Sequence, residues 1–149
     1  MRRDGNRELA WLELHQASAL LSTELGRRLE AEVGMTLTEH DLLWYLANVP
    51  DRRVIMSAVA DRLRISRSGA TRLVDRMVRQ GWVTREIDPA NRRLIYAVLA
   101  PGGIEAVRRS IQVVWSVRPE LFDNRLTDDD VADLRRVLGK LLRRLDVVD

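Results

Sequence analysis

Residues 56–99 decide the fold, and they read MSAVADRLRISRSGATRLVDRMVRQGWVTREIDPANRRLIYAVL. Their apolar residues follow the pattern of a short helix, a tight turn and a second helix that carries several arginines. Two runs rich in β-branched and aromatic residues come next, at 82–87 and 94–99, and the turn between them is basic. This order predicts a winged helix-turn-helix, in which the second helix enters a DNA major groove and the hairpin reaches the adjacent minor groove.

Positive charge is concentrated in the same stretch. Between residues 64 and 93 there are eight arginines against three acidic residues, whereas the formal net charge of the 149-residue chain is only +3. A local basic patch on a nearly neutral body is typical of a polyanion-binding surface. A charge run alone is more often a solvated helix face, so this patch matters because it coincides with the helix-turn-helix pattern. The arginines are Arg64, Arg67, Arg72, Arg76, Arg79, Arg85, Arg92 and Arg93.

Composition excludes several other kinds of protein. Hydrophobic residues make up 46% of the chain and charged residues 32%, which suits a globular protein with a core. There is no cysteine, so disulfides and thiol chemistry are excluded, and His15 and His40 lie too far apart in sequence to suggest a zinc site. We therefore expect no metal and no cofactor. No apolar run reaches the ~20 residues of a membrane span, and the N-terminal segment MRRDGNRELAW is charged, so we expect a cytoplasmic protein.

Helical patterns precede the deciding stretch. Leucines at helical spacing predict one long helix over residues 7–32, which Gly34 ends. Thr38 is expected to cap the next helix, with Asp41 closing an imperfect capping box, and Pro50 follows the end of that helix. The apolar stripe of this helix consists of Leu42, Leu43 and Leu46.

Within the stretch itself, serines and a glycine mark the helix ends. Residues 53–55 are expected to be briefly extended, and Ser57 to open the short helix. Ser66 is a good N-cap for the second helix because its hydroxyl can accept a backbone N–H, and Gly81 is expected to close that helix. The buried face of the second helix is predicted to consist of Leu73, Val74, Met77 and Val78.

Two further helices are predicted after the hairpin. Pro101 suits the first position of a helix that runs to about Val117, with Pro119 just beyond its end. Thr127 is expected to cap the final helix, whose first turn contains three aspartates that the helix dipole favours. The apolar stripe of that helix consists of Leu134, Leu138, Leu141 and Leu145.

The order and local sequence of these elements resemble the MarR family of bacterial transcription regulators. Residues 56–63 resemble the first helix of the family's helix-turn-helix, residues 65–77 (ISRSGATRLVDRM) its recognition helix, and residues 82–99 its wing. Three motifs in the right order are far more specific than one. The family's wing often carries Asp-x-Arg, whereas here Asn91 stands in place of the acid, and the usual threonine before the next helix is Ala100.

The resemblance implies a fold class and a domain organisation. The fold would be mainly α with a small β-hairpin wing, that is, a winged helix-turn-helix with N- and C-terminal dimerisation helices. Residues 1–149 would form a single MarR-like chain with its DNA-binding lobe at 36–100. The dimerisation helices would lie at 7–33 and 101–146.

The resemblance also implies which residues contact double-stranded DNA. An arginine on the recognition helix can bond bidentately to guanine, which contributes ~1–3 kcal/mol of discrimination. Arginines at the wing tip would reach the minor groove, where A·T tracts concentrate negative potential. Alternatively, Arg72 and Arg76 are only solvated or are paired with Asp75. The expected contacts are Arg64, Ser66, Arg67, Ser68, Thr71, Arg72, Arg76, Arg92 and Arg93.

Members of the family commonly act as homodimers and respond to a small anionic or phenolic effector. The resemblance therefore implies a homodimer, in which Trp11 and Trp115 lie either at the interface or in plain intrachain packing. A histidine on a mostly apolar helix is more often packed in the core than bound to a ligand, so that alternative stays open for each histidine. The candidate effector-binding residues are Trp11, His15, His40, Asp41, Tyr45 and Arg85.

The sequence thus predicts a sequence-specific DNA-binding transcription regulator, most often a repressor in this family, that binds a palindromic operator and is released by a ligand. A nucleoid-type DNA binder without sequence preference is one alternative. A protein-interaction module on a winged-helix scaffold is another, although the retained arginines argue against it. An enzyme is not indicated, because the sequence has no recognisable nucleophile–base pair, glycine-rich phosphate loop or metal-ligand set.

Overall fold

The computed structural model describes residues 5–145. The helices in this range are α1 (Gly5–Val33), α2 (Leu37–Asn48), α3 (Met56–Leu63), α4 (Arg67–Arg79), α5 (Pro101–Leu121) and α6 (Asp128–Leu145). The strands are β1 (Arg53–Ile55), β2 (Val83–Ile87) and β3 (Ile95–Leu99), and 3-10 turns lie at Pro50–Arg52 and Asp123–Arg125. The predicted fold class, mainly α with a small β-hairpin wing, is confirmed.

The chain divides into two compact units within α5, after Val114. The first unit holds the helix-turn-helix, the sheet and the main core. The second unit holds the end of α5, a 3-10 turn and α6. No helix within residues 5–145 is long and apolar enough to cross a membrane.

A three-stranded antiparallel sheet supports the wing, in the order β1-β3-β2. Ala97 at the centre of β3 pairs with Val54 on one side and with Arg85 on the other. Val54, Ala97 and Leu99 are buried, so the inner face of the sheet joins the core. The segment predicted only as extended at 53–55 is therefore a true strand, and it attaches the hairpin to the start of α3.

The helices of the first unit bury one stripe each. In α4 the buried residues are Ala70, Leu73, Val74 and Met77, which follow the i, i+3, i+4, i+7 spacing of one helix face. The prediction for Val78 was wrong, since its side chain is 39% exposed. One residue beyond the stripe lies about 100° further round the helix, at the edge of the core. From α2 and α3 the core takes Leu42, Leu43, Leu46, Val59 and Ala60.

The cap of α2 is Thr36, so the prediction of Thr38 and Asp41 was wrong. The Glu39 backbone N–H donates to Thr36 Oγ1 at 3.2 Å, and the Thr36 N–H donates to Glu39 Oε2 at 2.8 Å. This is a complete capping box, because glutamate is long enough to reach back to the cap residue. Thr38 lies inside the helix, where its hydroxyl cannot cap the first turn.

We expect Thr36→Ala to lower the free energy of unfolding by about 1 kcal/mol, because it removes the acceptor for one orphan N–H at the start of α2. The matched variant Thr38→Ala changes the helix interior and should cost less than about 0.5 kcal/mol. Urea unfolding followed by circular dichroism, at one protein concentration, compares the two. A larger loss in Thr38→Ala than in Thr36→Ala would contradict this assignment of the cap.

Other helix ends differ in detail from the predictions. Helix α3 begins at Met56 after Ile55, which makes no side-chain cap, so Ser57 lies inside the helix rather than opening it. Helix α5 continues past Val117 and includes Pro119. Proline removes only one N–H, and the helical turn is still closed by the Phe122 N–H, which donates to the Arg118 carbonyl at 2.8 Å.

Three predicted helix ends are confirmed. Gly34 and Gly81 have φ values of +64° and +73°, the left-handed backbone typical of a residue just past a helix. Thr127 caps α6, since its Oγ1 accepts the Asp130 N–H at 3.2 Å. In the predicted stripe of α6, Leu134 and Leu138 are half-buried and Leu141 is 45% exposed, while the side chain of Leu145 and residue 146 lie outside the described part of the chain.

Candidate nucleic-acid interface

The turn between α3 and α4 sets the start of the predicted recognition helix. Arg64 has a φ of +53° and ends α3 in the left-handed conformation, and the Ile65 N–H then donates to the Ala60 carbonyl at 3.1 Å. Ser66 Oγ accepts the Gly69 N–H at 3.0 Å, which confirms Ser66 as the N-cap of α4. A side chain at position 69 would place its Cβ 3.0 Å from that hydroxyl, so glycine leaves room for the cap.

The outer face of α4 presents hydroxyl and guanidinium groups to solvent. Arg67, Ser68, Thr71 and Arg72 are all exposed. The Thr71 hydroxyl donates to the Arg67 carbonyl at 3.1 Å, and the Ser66 and Ser68 hydroxyls lie 3.2 Å apart. In the described part of the chain, the side chains of Arg67 and Arg72 form no hydrogen bond or ion pair. Their guanidinium donors are therefore available to an external acceptor.

Arg76 lies one turn further along α4 and has a partner inside the protein. Its Nε donates to Glu39 Oε1 at 2.6 Å, and the Glu39 side chain is only 2% exposed. The alternative of a pair with Asp75 does not occur, since Asp75 pairs with Arg85. Sequence reasoning missed Glu39, although its position three residues after Thr36 is the signature of a capping box.

Arg85 ties the wing to the recognition helix. Its guanidinium forms an ion pair with Asp75 of α4 and also donates from Nη2 to the Thr71 carbonyl at 3.3 Å. Since Arg85 is in the middle of β2, these contacts attach the hairpin to the centre of α4. The recognition helix is therefore held by charged contacts from α2 on one side and from β2 on the other.

The wing tip is shaped by Asp88. Its Oδ1 accepts the N–H groups of Ala90 and Asn91 at 2.8 and 2.9 Å. These bonds hold the pKa of the Asp88 carboxyl below its usual value, and the bond from Asn91 has the largest effect. Asn91 Oδ1 in turn accepts the Arg93 N–H at 3.1 Å, so it shapes the backbone of the tip. Arg92 and Arg93 are exposed there.

Arg53 of β1 is a second residue that sequence reasoning missed. Its guanidinium lies 4.2 Å from the centre of the Tyr96 ring, and its Nη1 is 3.8 Å from Glu86 Oε2. The Tyr96 hydroxyl donates to Asp88 Oδ2 at 3.4 Å, which continues the contact to the wing tip. No local pattern could have revealed this role, because Arg53 and Tyr96 meet only when β1 pairs with β3.

Comparison with known proteins agrees with the geometry in pointing to a winged helix-turn-helix that binds DNA. A model of the MarR family matches residues 33–94, the part of the chain that runs from the end of α1 to the wing tip. The chain is therefore similar to members of the MarR family. Its fold agrees over nearly its whole length with a MarR family regulator from Streptomyces coelicolor solved in complex with DNA, with 29% identity, a TM-score of 0.84 and coverage of 98% of this chain and 89% of that one.

Two further proteins that are similar to this chain come from Escherichia coli. A mutant of MarR solved with operator DNA is 25% identical, has a TM-score of 0.73, and is matched over 89% of this chain and 96% of that one. The transcriptional repressor MprA is 27% identical over 141 residues, which cover 95% of this chain and 78% of MprA.

Within residues 5–145, the structure does not bring the six candidate effector residues together in one site. Trp11 and His15 contact each other on the exposed part of α1, with ring centres 4.4 Å apart. Arg85 is engaged with α4. Asp41 and Tyr45 share a cavity of about 290 Å³, whose lining consists of Thr38, Asp41, Trp44, Tyr45, Arg62, Leu63 and Ile65. Burial raises the pKa of the Asp41 carboxyl, against the opposing effects of His40 and Arg62.

His40 links α2 to α5 inside the first unit. Its Nδ1 lies 2.9 Å from the Oγ of Ser110, whose hydroxyl donates to the Val107 carbonyl at 2.9 Å. Because that hydroxyl proton is already used, the His40 Nδ1–H is the donor in the pair. Both side chains are buried, and burial lowers the pKa of His40 against the opposing effect of Asp41. His40 is thus a buried core residue, which is the alternative left open for it in the sequence analysis.

Proposed function

We propose that this chain is a sequence-specific double-stranded DNA-binding transcription regulator. The observation that carries the proposal is the pair of guanidiniums of Arg67 and Arg72, which are exposed on the first turns of α4 and have no partner among the described residues. Arginine donors at this place on a recognition helix can bond bidentately to guanine in the major groove. The relatives from S. coelicolor and E. coli that were solved with DNA support the same role.

The proposed DNA-binding lobe is residues 36–100. The N-terminal half of α4 would lie in the major groove, with Arg64 and the cap Ser66 at the phosphate backbone and Thr71 at the base edges or phosphates. Arg92 and Arg93 would enter the minor groove from the wing tip, which the bonds of Asp88 and Asn91 shape. The proposed contacts are those predicted from the sequence apart from Arg76, whose guanidinium is paired with Glu39.

We further propose that the chain acts as a homodimer through helices 7–33 and 101–146. Large apolar side chains on α1 are 38–63% exposed. Trp115 on α5 is 65% exposed and Leu142 on α6 is 55% exposed. An isolated soluble chain rarely leaves so much apolar surface uncovered, so burial against a second copy is favoured. Two recognition helices about 34 Å apart would then read a palindromic operator. The exposed residues on α1 are Leu9, Trp11, Leu12, Leu14, Leu20 and Leu21.

We further propose that the chain acts in the cytoplasm as a repressor, and that a small anionic or phenolic effector releases it from DNA. The similarity to the transcriptional repressor MprA supports repression. Asp41 and Tyr45 line the cavity beside the helix-turn-helix, and their side chains are the part of the predicted effector set that shares one site. An effector bound there would change the DNA affinity only by binding the DNA-competent and DNA-incompetent states unequally.

DNA binding is tested by selecting duplexes from a random-sequence pool and measuring fluorescence anisotropy at ~150 mM salt against a selected and a scrambled duplex. We expect tight binding to the selected duplex alone. Arg72→Ala should weaken it roughly 10- to 100-fold, because a bidentate arginine–guanine contact contributes ~1–3 kcal/mol. The matched control is Arg109→Ala, which removes an exposed arginine of α5 outside the proposed lobe.

Each other outcome favours a stated alternative. Equal affinity for both duplexes, with a steep salt dependence, would indicate a nucleoid-type binder without sequence preference. Failure to bind any duplex would favour the protein-interaction module. Equal losses in Arg72→Ala and Arg109→Ala would show that Arg72 contributes only general charge.

A further inference from the structure

One buried carboxylate joins the start of α2 to the last turn of the recognition helix. Glu39 Oε2 accepts the Thr36 N–H at 2.8 Å, and Glu39 Oε1 accepts Arg76 Nε at 2.6 Å. The Glu39 side chain is 2% exposed, while that of Arg76 is 45% exposed. The two residues lie 37 positions apart, so their contact exists only when α2 and α4 are packed in one arrangement.

This contact adds a directional restraint on the position of α4 to that of its apolar packing. A buried carboxylate is costly when it has no cation nearby, so any displacement of α4 that separates Arg76 from Glu39 is opposed. Apolar contacts tolerate small shifts, because the attraction between two carbon atoms is weak and not directional. A charge-assisted N–H···O bond such as that of Arg76 to Glu39 is directional, and it weakens steeply as the angle at the hydrogen falls below about 120°.

The neighbouring residue adds a second restraint in another direction. Asp75 is paired with Arg85 of β2. Successive residues of a helix point about 100° apart, so Asp75 and Arg76 leave α4 towards different elements. Together they restrain both the shift of α4 along its axis and its rotation about that axis. Arg72 lies on the same helix, one turn before Arg76.

We propose that Glu39 and Arg76 are positioning residues that set the placement of the recognition helix, and that Arg76 is not a DNA contact. This inference rests on the proposed DNA-binding function. A bidentate bond from Arg72 to a base edge requires correct placement of α4, whereas non-specific attraction to phosphates does not. Loss of the Glu39–Arg76 pair should therefore reduce the affinity for the specific duplex and leave the affinity for other sequences nearly unchanged.

Glu39→Gln distinguishes a positioning role from a purely electrostatic one, because the two predict changes of opposite sign in the affinity for the selected duplex. The substitution removes a negative charge near the DNA-binding face, so electrostatics alone would make the variant bind every duplex more tightly. Its amide keeps the size of the side chain and can still accept the Thr36 N–H, but it no longer neutralises Arg76. We expect Glu39→Gln to bind the selected duplex about 5- to 20-fold more weakly, and the scrambled duplex within about twofold of the parent.

A matched pair of variants on the same helix distinguishes positioning from phosphate contact. Arg72→Met and Arg76→Met remove the same charge from α4 and are measured against the selected duplex over a series of salt concentrations. A residue that contacts phosphate reduces the slope of log affinity against log salt by about one when it is removed. If Arg72 contacts only bases, we expect both variants to keep the salt slope of the parent. If Arg72 also contacts phosphate, we expect the salt slope of Arg72→Met to fall by about one. In both cases Arg76→Met should keep the slope of the parent while lowering the specific affinity.

Three results would overturn the inference. One is selected-duplex binding by Glu39→Gln that is as tight as that of the parent or tighter. Another is a salt slope that falls by about one in Arg76→Met, which would make Arg76 a phosphate contact. The third is an unchanged ratio of specific to non-specific affinity in Glu39→Gln together with a reduced folded fraction, because a pair that only stabilises the fold would have this effect.

If the parent itself does not discriminate between the two duplexes, the proposed function fails before this inference is tested. Circular dichroism checks that each variant is folded, and if Arg76→Met does not fold, Glu39→Gln carries the test.

Discussion

Gly103→Ala is expected to destabilise the protein by more than about 4 kcal/mol, or to prevent folding, because the first turn of α5 has no room for a side chain. A Cβ at position 103 would lie 2.1 Å from the Trp82 carbonyl oxygen and 2.7 Å from a methyl group of Leu99. The Trp82 carbonyl cannot simply move away, because it accepts the Ala100 N–H at 3.0 Å. Relief therefore requires α5 to move away from the wing sheet.

The matched control is Gly26→Ala in the interior of α1. A Cβ there would meet only the Leu37 Cβ, at an ordinary contact distance of 3.7 Å. Alanine in a helix interior is more stable than glycine by about 0.5–1 kcal/mol, so this variant should be slightly stabilised. Thermal and urea unfolding at one protein concentration should place the melting temperature of Gly103→Ala more than about 10 °C below that of the parent. A change of less than about 3 °C would show that α5 does not approach the sheet as closely as described here.

Arg76→Met is expected to lower the free energy of unfolding by about 2–4 kcal/mol. Breaking a buried pair by removing one partner costs about 3–5 kcal/mol, because the remaining charge is uncompensated, and the partial exposure of Arg76 places this case at the lower end. Methionine keeps the apolar stem and a high helix propensity, so the loss reports mainly the missing guanidinium. Arg72→Met is the matched control on the same helix and should change the stability by less than about 0.5 kcal/mol, since Arg72 has no partner among the described residues.

A double-mutant cycle shows whether the loss comes from the pair. Glu39→Gln combined with Arg76→Met removes both charges, so the double variant should be more stable than Arg76→Met alone. Urea unfolding of the four proteins gives the coupling free energy directly. A coupling below about 0.3 kcal/mol would show that Glu39 is stabilised by something other than Arg76.

Features that depend on neighbours in sequence were predictable. The caps Ser66 and Thr127 act through N–H groups three residues ahead, and Gly34 and Gly81 end their helices by a local change of backbone conformation. The buried stripe of α4 follows from helical periodicity, and the hairpin from its β-branched runs and the Asp88 turn. Where a local prediction failed, as for Thr38 against Thr36, two local patterns competed two residues apart. The longer side chain of Glu39, which reaches back to the cap residue, decided between them.

The exposed arginines of the candidate interface were predictable for the same reason. Whether a helical arginine faces solvent follows from its position relative to the apolar stripe, and Arg67 and Arg72 lie outside that stripe. What each arginine binds does not follow from the stripe. Arg72 and Arg76 look alike in sequence, yet only Arg76 meets an acidic residue inside the protein.

The sequence by itself therefore determined the order of the helices and strands, the caps Ser66 and Thr127, and the basic face of the recognition helix. Tertiary structure alone decided the partners: Glu39 for Arg76 across 37 residues, Ser110 for His40 across 70, and the approach of Gly103 to the Trp82 carbonyl. The physical reason is the range of each interaction. Capping, periodicity and turn chemistry act within a few residues, whereas an ion pair or a steric contact depends on the distance between atoms in space, which exists only after the chain has packed.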